Sequence, residues 1–94
     1  MAKAIWKNVV IADSNDFEIV EDNYYFPPDS VNMEYLKESD YHTTCPWKGF
    51  ASYYDIVVDG DVNKDSAWYY ANPKPAASKI KNFIAFWKGV EIQD

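Results

Sequence analysis

Phe50-Ala51-Ser52-Tyr53-Tyr54-Asp55-Ile56-Val57-Val58-Asp59 carries the strongest structural signal in this chain of 94 residues. Aromatic and β-branched side chains crowd the stretch, which suits a pleated, half-buried strand. Period two sets Tyr54, Ile56 and Val58 on one face. The same composition recurs on both sides of it. Ile5 to Ala12, Phe17 to Glu21 and Tyr24 to Phe26 precede it, and Ala67 to Ala71 and Phe83 to Trp87 follow. Asp13-Ser14-Asn15-Asp16, Asp22-Asn23 and the run from Gly60-Asp61 to Asp65 separate these strands with residues whose side chains bond to nearby backbone. Consecutive hairpins predict a mainly β chain, a compact antiparallel meander. No linker or low-complexity tract interrupts it, so residues 1–94 are expected to form one domain.

Two short helical turns complete the outline. One is expected after Pro27-Pro28, with Asp29 or Ser30 as N-cap and Val31, Met33, Tyr35 and Leu36 as its buried stripe. The other is expected near Ala76 to Lys81, behind a loop stiffened by Pro73 and Pro75. Trp6-Lys7-Asn8-Val9, Trp47-Lys48-Gly49-Phe50 and Trp87-Lys88-Gly89-Val90 echo one another, but their flanks do not match. Chance or shared strand-end geometry explains the echo better than a repeat.

So short a chain must build a dense core, and eight Tyr, five Phe and four Trp supply one. Nine Lys, no Arg and fifteen carboxylates leave a formal charge of -6. That balance opposes phosphate-backbone binding and argues against a nucleic-acid partner. Cys45 is the only cysteine, so no intrachain disulfide can form, and a cytoplasmic home is expected. No apolar run is long enough to cross a bilayer, and the N-terminus lacks an export signal. Strands in a chain too short to cover every edge suggest a homodimer.

The chemistry gathers in His42-Thr43-Thr44-Cys45-Pro46-Trp47-Lys48-Gly49, where the only His and Cys meet two hydroxyls, a Trp and a Lys. The segment reads as a loop, with Pro46 holding Cys45 extended and Gly49 turning the backbone sharply. Cys45 is a candidate nucleophile if Lys48 or His42 lowers its thiol pKa; otherwise it is an inert small hydrophobe. Lys48 is a candidate anion anchor or Schiff-base amine, or a plain surface lysine. Period two points Glu21 inward after Phe17 and Ile19, unless the strand ends at Val20 and leaves Glu21 in a solvated turn. Trp68 and Tyr70 share a face and are candidate pocket walls, although they would pack equally well in a core.

Metal chemistry is poorly provided for. His42 and Cys45 are two ligands without a second pair. Asp59-Gly60-Asp61-Val62-Asn63-Lys64-Asp65 begins like an EF-hand loop but has Lys64 at its sixth position and Tyr70 at its twelfth, so it reads as a polar turn. No metal and no cofactor are expected.

Cys45-Pro46-Trp47-Lys48-Gly49 with Tyr53-Tyr54, then Ala67-Trp68-Tyr69-Tyr70 and Pro73, preceded by Glu21 and Tyr25-Phe26-Pro27, resembles the domain of unknown function 427 family. Ile84-Ala85-Phe86-Trp87 is similar to that family's last hydrophobic strand. The resemblance spans nearly the whole chain. It implies a tent-like or barrel-like antiparallel β-domain of bacterial and related proteins, and it marks Glu21, Cys45 and Lys48 as motif positions. A nucleotidyltransferase label attached to the family fits these residues badly, because Asp59-Gly60-Asp61 is the only close Asp-x-Asp and no Gly-Ser element precedes it.

Three functions remain open on the sequence. The leading one is a binding domain whose pocket joins Glu21, the loop from Thr43 to Lys48 (with Thr44, Cys45 and Trp47 in it), Trp68 and Tyr70 around a small ligand whose class stays open, an anion being one candidate. The second is an enzyme using Cys45 or Lys48 as nucleophile. The third is a structural or protein-interaction module without a ligand. The first requires Glu21 and Lys48 to lie close together despite their separation in the chain.

Overall fold

The computed structural model describes residues 1–94. Nine strands alternate with 3-10 turns: β1 (Ala2–Trp6), β2 (Val9–Ser14), β3 (Glu18–Val20), β4 (Asn23–Tyr25), β5 (Leu36–Cys45), β6 (Gly49–Val58), β7 (Asp61–Tyr69), β8 (Ile84–Phe86) and β9 (Glu91–Gln93). They form three antiparallel sheets, ordered β2-β1-β9, β3-β4 and β5-β6-β7-β8. The mainly β, antiparallel reading holds, but the sheets do not close into a barrel.

Several boundaries differ from expectation for identifiable reasons. Ile5 to Ala12 is not one strand: Lys7 and Asn8, at φ 49° and 63°, reverse the chain between Trp6 and Val9. Two central residues at positive φ are the signature of a type I′ hairpin turn. Glu21-Asp22 (φ 53° and 66°) and Asp59-Gly60 (φ 50° and 81°) turn the same way. The β6–β7 turn is thus only those two residues, and Asp61 to Asp65 belong to β7. The segment from His42 to Cys45 is the end of β5, so the expected loop shrinks to Pro46-Trp47-Lys48.

The single helix expected after Pro27-Pro28 is two separate 3-10 turns, Pro28–Ser30 and Met33–Tyr35. Neither has a side-chain N-cap bond, and only Val31 of the expected stripe is fully buried. The later turn is present as a 3-10 segment, Pro75–Ile80. No helix is long and apolar enough to cross a membrane.

The four-stranded sheet organises the core because its two faces are covered differently. On one face Ile56, Val58, Ala67, Ile84 and Phe86 pack with Ala2, Ala4, Ile11 and Ala12 of the three-stranded sheet and with Phe26 and Val31. Small residues on β1 and β2 let the sheets approach, and the rings of Phe26 and Phe86 fill the gap edge to face, 5.8 Å apart. On the other face Ala51, Tyr53, Tyr70 and Ala85 pack with Val20, Tyr25, Ala77 and Ile80. Tyr54 joins Ile56 and Val58 on the first face, whereas Trp68 and Tyr70 belong to the second. The two groups back onto each other across one sheet instead of meeting in a common core.

Candidate functional site

The β5–β6 hairpin builds the site. Cys45 pairs with Gly49, leaving Pro46-Trp47-Lys48 as the connection. The Lys74 amide donates to the Lys48 carbonyl at 2.9 Å, and Lys74 Nζ donates to the Pro46 carbonyl at 2.6 Å. Gly49 sits at φ 116°, a conformation that side-chain-bearing residues avoid. Pinned in this way, the turn sends the Lys48 side chain beneath the second face of the four-stranded sheet, where only 7% of it meets solvent.

Glu21 reaches the same place from the β3–β4 turn. Of the two readings of this strand, the one that ends it at Val20 and leaves Glu21 in the turn holds: β3 stops at Val20, which is buried, while Ile19 is 50% exposed. The left-handed turn at Glu21 brings its carboxylate over the hairpin. Lys48 Nζ donates to Oε1, and the Trp47 indole N–H donates to Oε2 at 3.4 Å. One carboxylate is therefore gripped at both oxygens by consecutive residues. Glu21 nonetheless keeps 52% of its side chain exposed.

Beside this pair a cavity of about 190 Å³ is lined by Lys48, Tyr53, Trp68, Tyr70 and Trp87. Cross-strand register explains the grouping: Tyr53 on β6 lies opposite Trp68 on β7, so their rings share a face. Trp87, just past β8, packs edge-on against Trp68 at 6.0 Å. Hydrogen bonds orient the walls: the Trp68 indole donates to the Tyr25 hydroxyl at 3.2 Å, and the Tyr53 and Thr43 hydroxyls share a bond of 3.0 Å. Lys48 Nζ stands 5.5 Å from the Trp47 ring centre and 5.7 Å from that of Tyr70, within reach of cation–π attraction.

Charge at the site follows from these contacts. The Lys48 hydrogen bond, with that of Trp47, holds the Glu21 carboxyl below its ordinary pKa. Burial alone would lower the pKa of Lys48, but the bond to Glu21 and the neighbouring Tyr25 and Tyr70 outweigh it and leave the ammonium above its usual value. Burial pushes Tyr25 up, and it pushes Tyr70 up to about 12. At neutral pH the site thus presents a fixed cation, a half-exposed carboxylate and neutral phenols.

Of the residues singled out from the sequence, Lys48, Trp68 and Tyr70 line the cavity, and Glu21 and Trp47 meet Lys48 at its edge. Thr44 and Cys45 do not line it. Thr44 is exposed, whereas half-buried Cys45 packs against the core behind Tyr53 and Tyr70. Thr43 makes the hydroxyl contact instead. His42 stacks on exposed Phe50 at 4.7 Å, away from the site. Tyr53 and Trp87 were not expected. Alternation along β6 would have placed Tyr53 opposite Trp68 had the β6–β7 register been known, and alternation along the strand expected from Phe83 to Trp87 sets Trp87 on the face of Ala85, which lies opposite Trp68.

Two of the three echoed segments share a geometry. Lys7-Asn8 and Lys88-Gly89 both take positive φ, and each lysine lies over the preceding Trp, at 5.4 and 5.1 Å. Lys48 also lies over its preceding Trp, at 5.5 Å, but it lacks the positive φ and turns inward. No group of three or more His, Cys, Asp or Glu is arranged to hold a metal ion. Asp61 of the Asp-x-Asp pair meets Lys7 at 3.4 Å.

A comparison with curated proteins gives no match. A family model described as a domain of unknown function (DUF427) matches residues 1–93. With the match covering almost its whole length, this chain belongs to the DUF427 family.

Proposed function

We propose that this chain is a binding domain for a small organic anion with a flat, apolar body. The observation that carries the reading is a buried ammonium at the wall of an aromatic cavity. The rings of Tyr53, Trp68, Tyr70 and Trp87 offer faces and edges to a planar ligand, and Lys48 offers the charge that orients it. A volume near 190 Å³ falls below the roughly 300–1,000 Å³ of drug-sized pockets, which suits a ligand of one or two rings.

Two features favour binding over catalysis. A lysine acts as a nucleophile through its neutral amine, and Lys48 is held as the ammonium. Metal-assisted nucleotidyl transfer needs converging carboxylates, whereas Asp59 lies in a tight hairpin turn and Asp61, just after it, is paired to Lys7. Calorimetric titration with benzoate, benzenesulfonate and neutral benzamide tests the reading. Both anions should bind more tightly than benzamide, and Lys48→Met should remove the difference. Equal affinity for charged and neutral rings in the native protein would refute it.

A further inference from the structure

Resting on that reading, we propose that Glu21 occupies the seat of a ligand carboxylate, so that this site recognises aromatic carboxylates and Glu21 is the internal group they displace. The seat is defined by two donors of different kinds, the Lys48 ammonium and the Trp47 indole N–H, each directed at one oxygen of the same carboxylate. Both donors come from the anchored turn that ends β5, whereas the acceptor comes from a separate hairpin. The cradle is therefore built independently of the residue that fills it.

Burial is unequal across the pair. Lys48 is 7% exposed and Glu21 is 52% exposed. A carboxylate retained only to neutralise a buried ammonium would be expected to be buried with it. Glu21 can instead swing into water with little change in its own solvation, leaving Lys48 and Trp47 free to bond a new acceptor. The exchange conserves the number of hydrogen bonds and the charge on the cradle. Net affinity then comes from the ligand ring entering the cavity beside Lys48, where Trp68 and Tyr70 wait.

The head group follows from the donor set. The site holds one ammonium, and the chain has no Arg to add a second fixed fork. A planar, singly charged carboxylate matches one cation and one indole donor, while a doubly charged phosphonate would leave charge uncompensated.

The test is calorimetry with benzoate, phenylphosphonate and benzamide on the native chain, Glu21→Gln, Glu21→Asn and Lys48→Met, with circular dichroism to establish folding. Asn tolerates the left-handed backbone at this position, so Glu21→Asn carries the test if Glu21→Gln folds poorly. Removing the internal carboxylate should tighten benzoate binding by about tenfold or more. Benzamide should be unaffected, and Lys48→Met should abolish the benzoate response. Native protein that binds benzoate as tightly as the Glu21 variants, or more tightly, overturns displacement and leaves the anion-binding reading intact. Phenylphosphonate binding the variants more tightly than benzoate overturns the carboxylate assignment. Benzoate binding to none of the four proteins overturns both this inference and the reading beneath it.

Discussion

The two faces of the four-stranded sheet share strands and aromatic residues, yet only one of them forms the candidate site. The centre of the face that meets the three-stranded sheet is sealed by Ile56, Val58, Phe26 and Phe86, all almost wholly removed from solvent. Only at its edge do Pro28, Met33, Tyr54, Tyr69, Asn82 and Ile84 line a cavity of about 280 Å³ that holds no charged side chain. The opposite face is covered only in part, by the Pro75–Ile80 segment, Val20 and Tyr25. Lys48 and the open cavity fill the remainder. Alternation within β6 sends Tyr54 to the first face and Tyr53 to the second. What separates the two groups of side chains here is the covering element, not the strand that bears them.

The sharpest way to break that distinction is to damage the sealed face. Phe26→Ala should destabilise the fold by about 3–5 kcal/mol, the usual range for emptying a buried Phe site. In a domain of this size that lowers the melting temperature by roughly 10 °C or more. Where the variant remains folded, its affinity for a ring anion should match the native value. A large loss of affinity without unfolding would show that the two faces are coupled.

A smaller effect is expected at the open face, and it should be asymmetric. Glu21→Gln leaves a buried ammonium without its carboxylate, whereas Lys48→Met leaves a carboxylate already half in water. Thermal melts should therefore show a greater loss from Glu21→Gln, and the double variant should be less damaged than the two single losses together imply. Additive losses would mean that the pair is not energetically shared.

The smallest expected effect depends on pH and compares the faces directly. Tyr54 on the sealed face and Tyr70 on the open one are both pushed up to about 12, chiefly by burial. Each phenol is raised above its unfolded value near 10, so its stabilising contribution is complete below about pH 10 and is lost as pH rises through its folded value. Lys48, also raised, acts in the same direction. Glu21 is depressed, so its contribution exists above its unfolded pKa and disappears as pH falls through the folded one. Melting temperature plotted against pH should decline at both ends. Glu21→Gln should flatten the acid limb and remove the Lys48 share of the alkaline one, whereas Tyr54→Phe and Tyr70→Phe should flatten only the alkaline limb.

Strand composition made the fold class readable, and β6 was recognised almost to its ends. β5 was missed because Lys37-Glu38-Ser39-Asp40 has poor strand propensity; it lies at the sheet edge, where charged residues suit an exposed strand. The turn at Lys7-Asn8 was missed because its first residue is a lysine at a position that usually takes Asn, Asp or Gly. Glu21 and Lys48 do meet, but not by the route expected. Alternation put Glu21 inside, whereas its left-handed turn delivers it from outside. Thr44 was favoured where Thr43 makes the contact, since a one-residue error in a strand reverses the face. Trp87 joins the cavity by continuing the alternation of β8, its backbone N–H donating to the Ser66 carbonyl at 3.0 Å.

The Glu21-Asp22 turn bears on how this chain should be engineered. Asn-Gly is the more comfortable dipeptide for a two-residue turn with both φ values positive, and a redesign scored on turn propensity alone would install it. The product would relieve the turn itself, yet it would lack the carboxylate that faces Trp47 and neutralises the buried Lys48 ammonium. A library aimed at hardening this scaffold should therefore hold position 21 constant and draw its gains from Lys7, which adopts the same left-handed backbone away from the cavity.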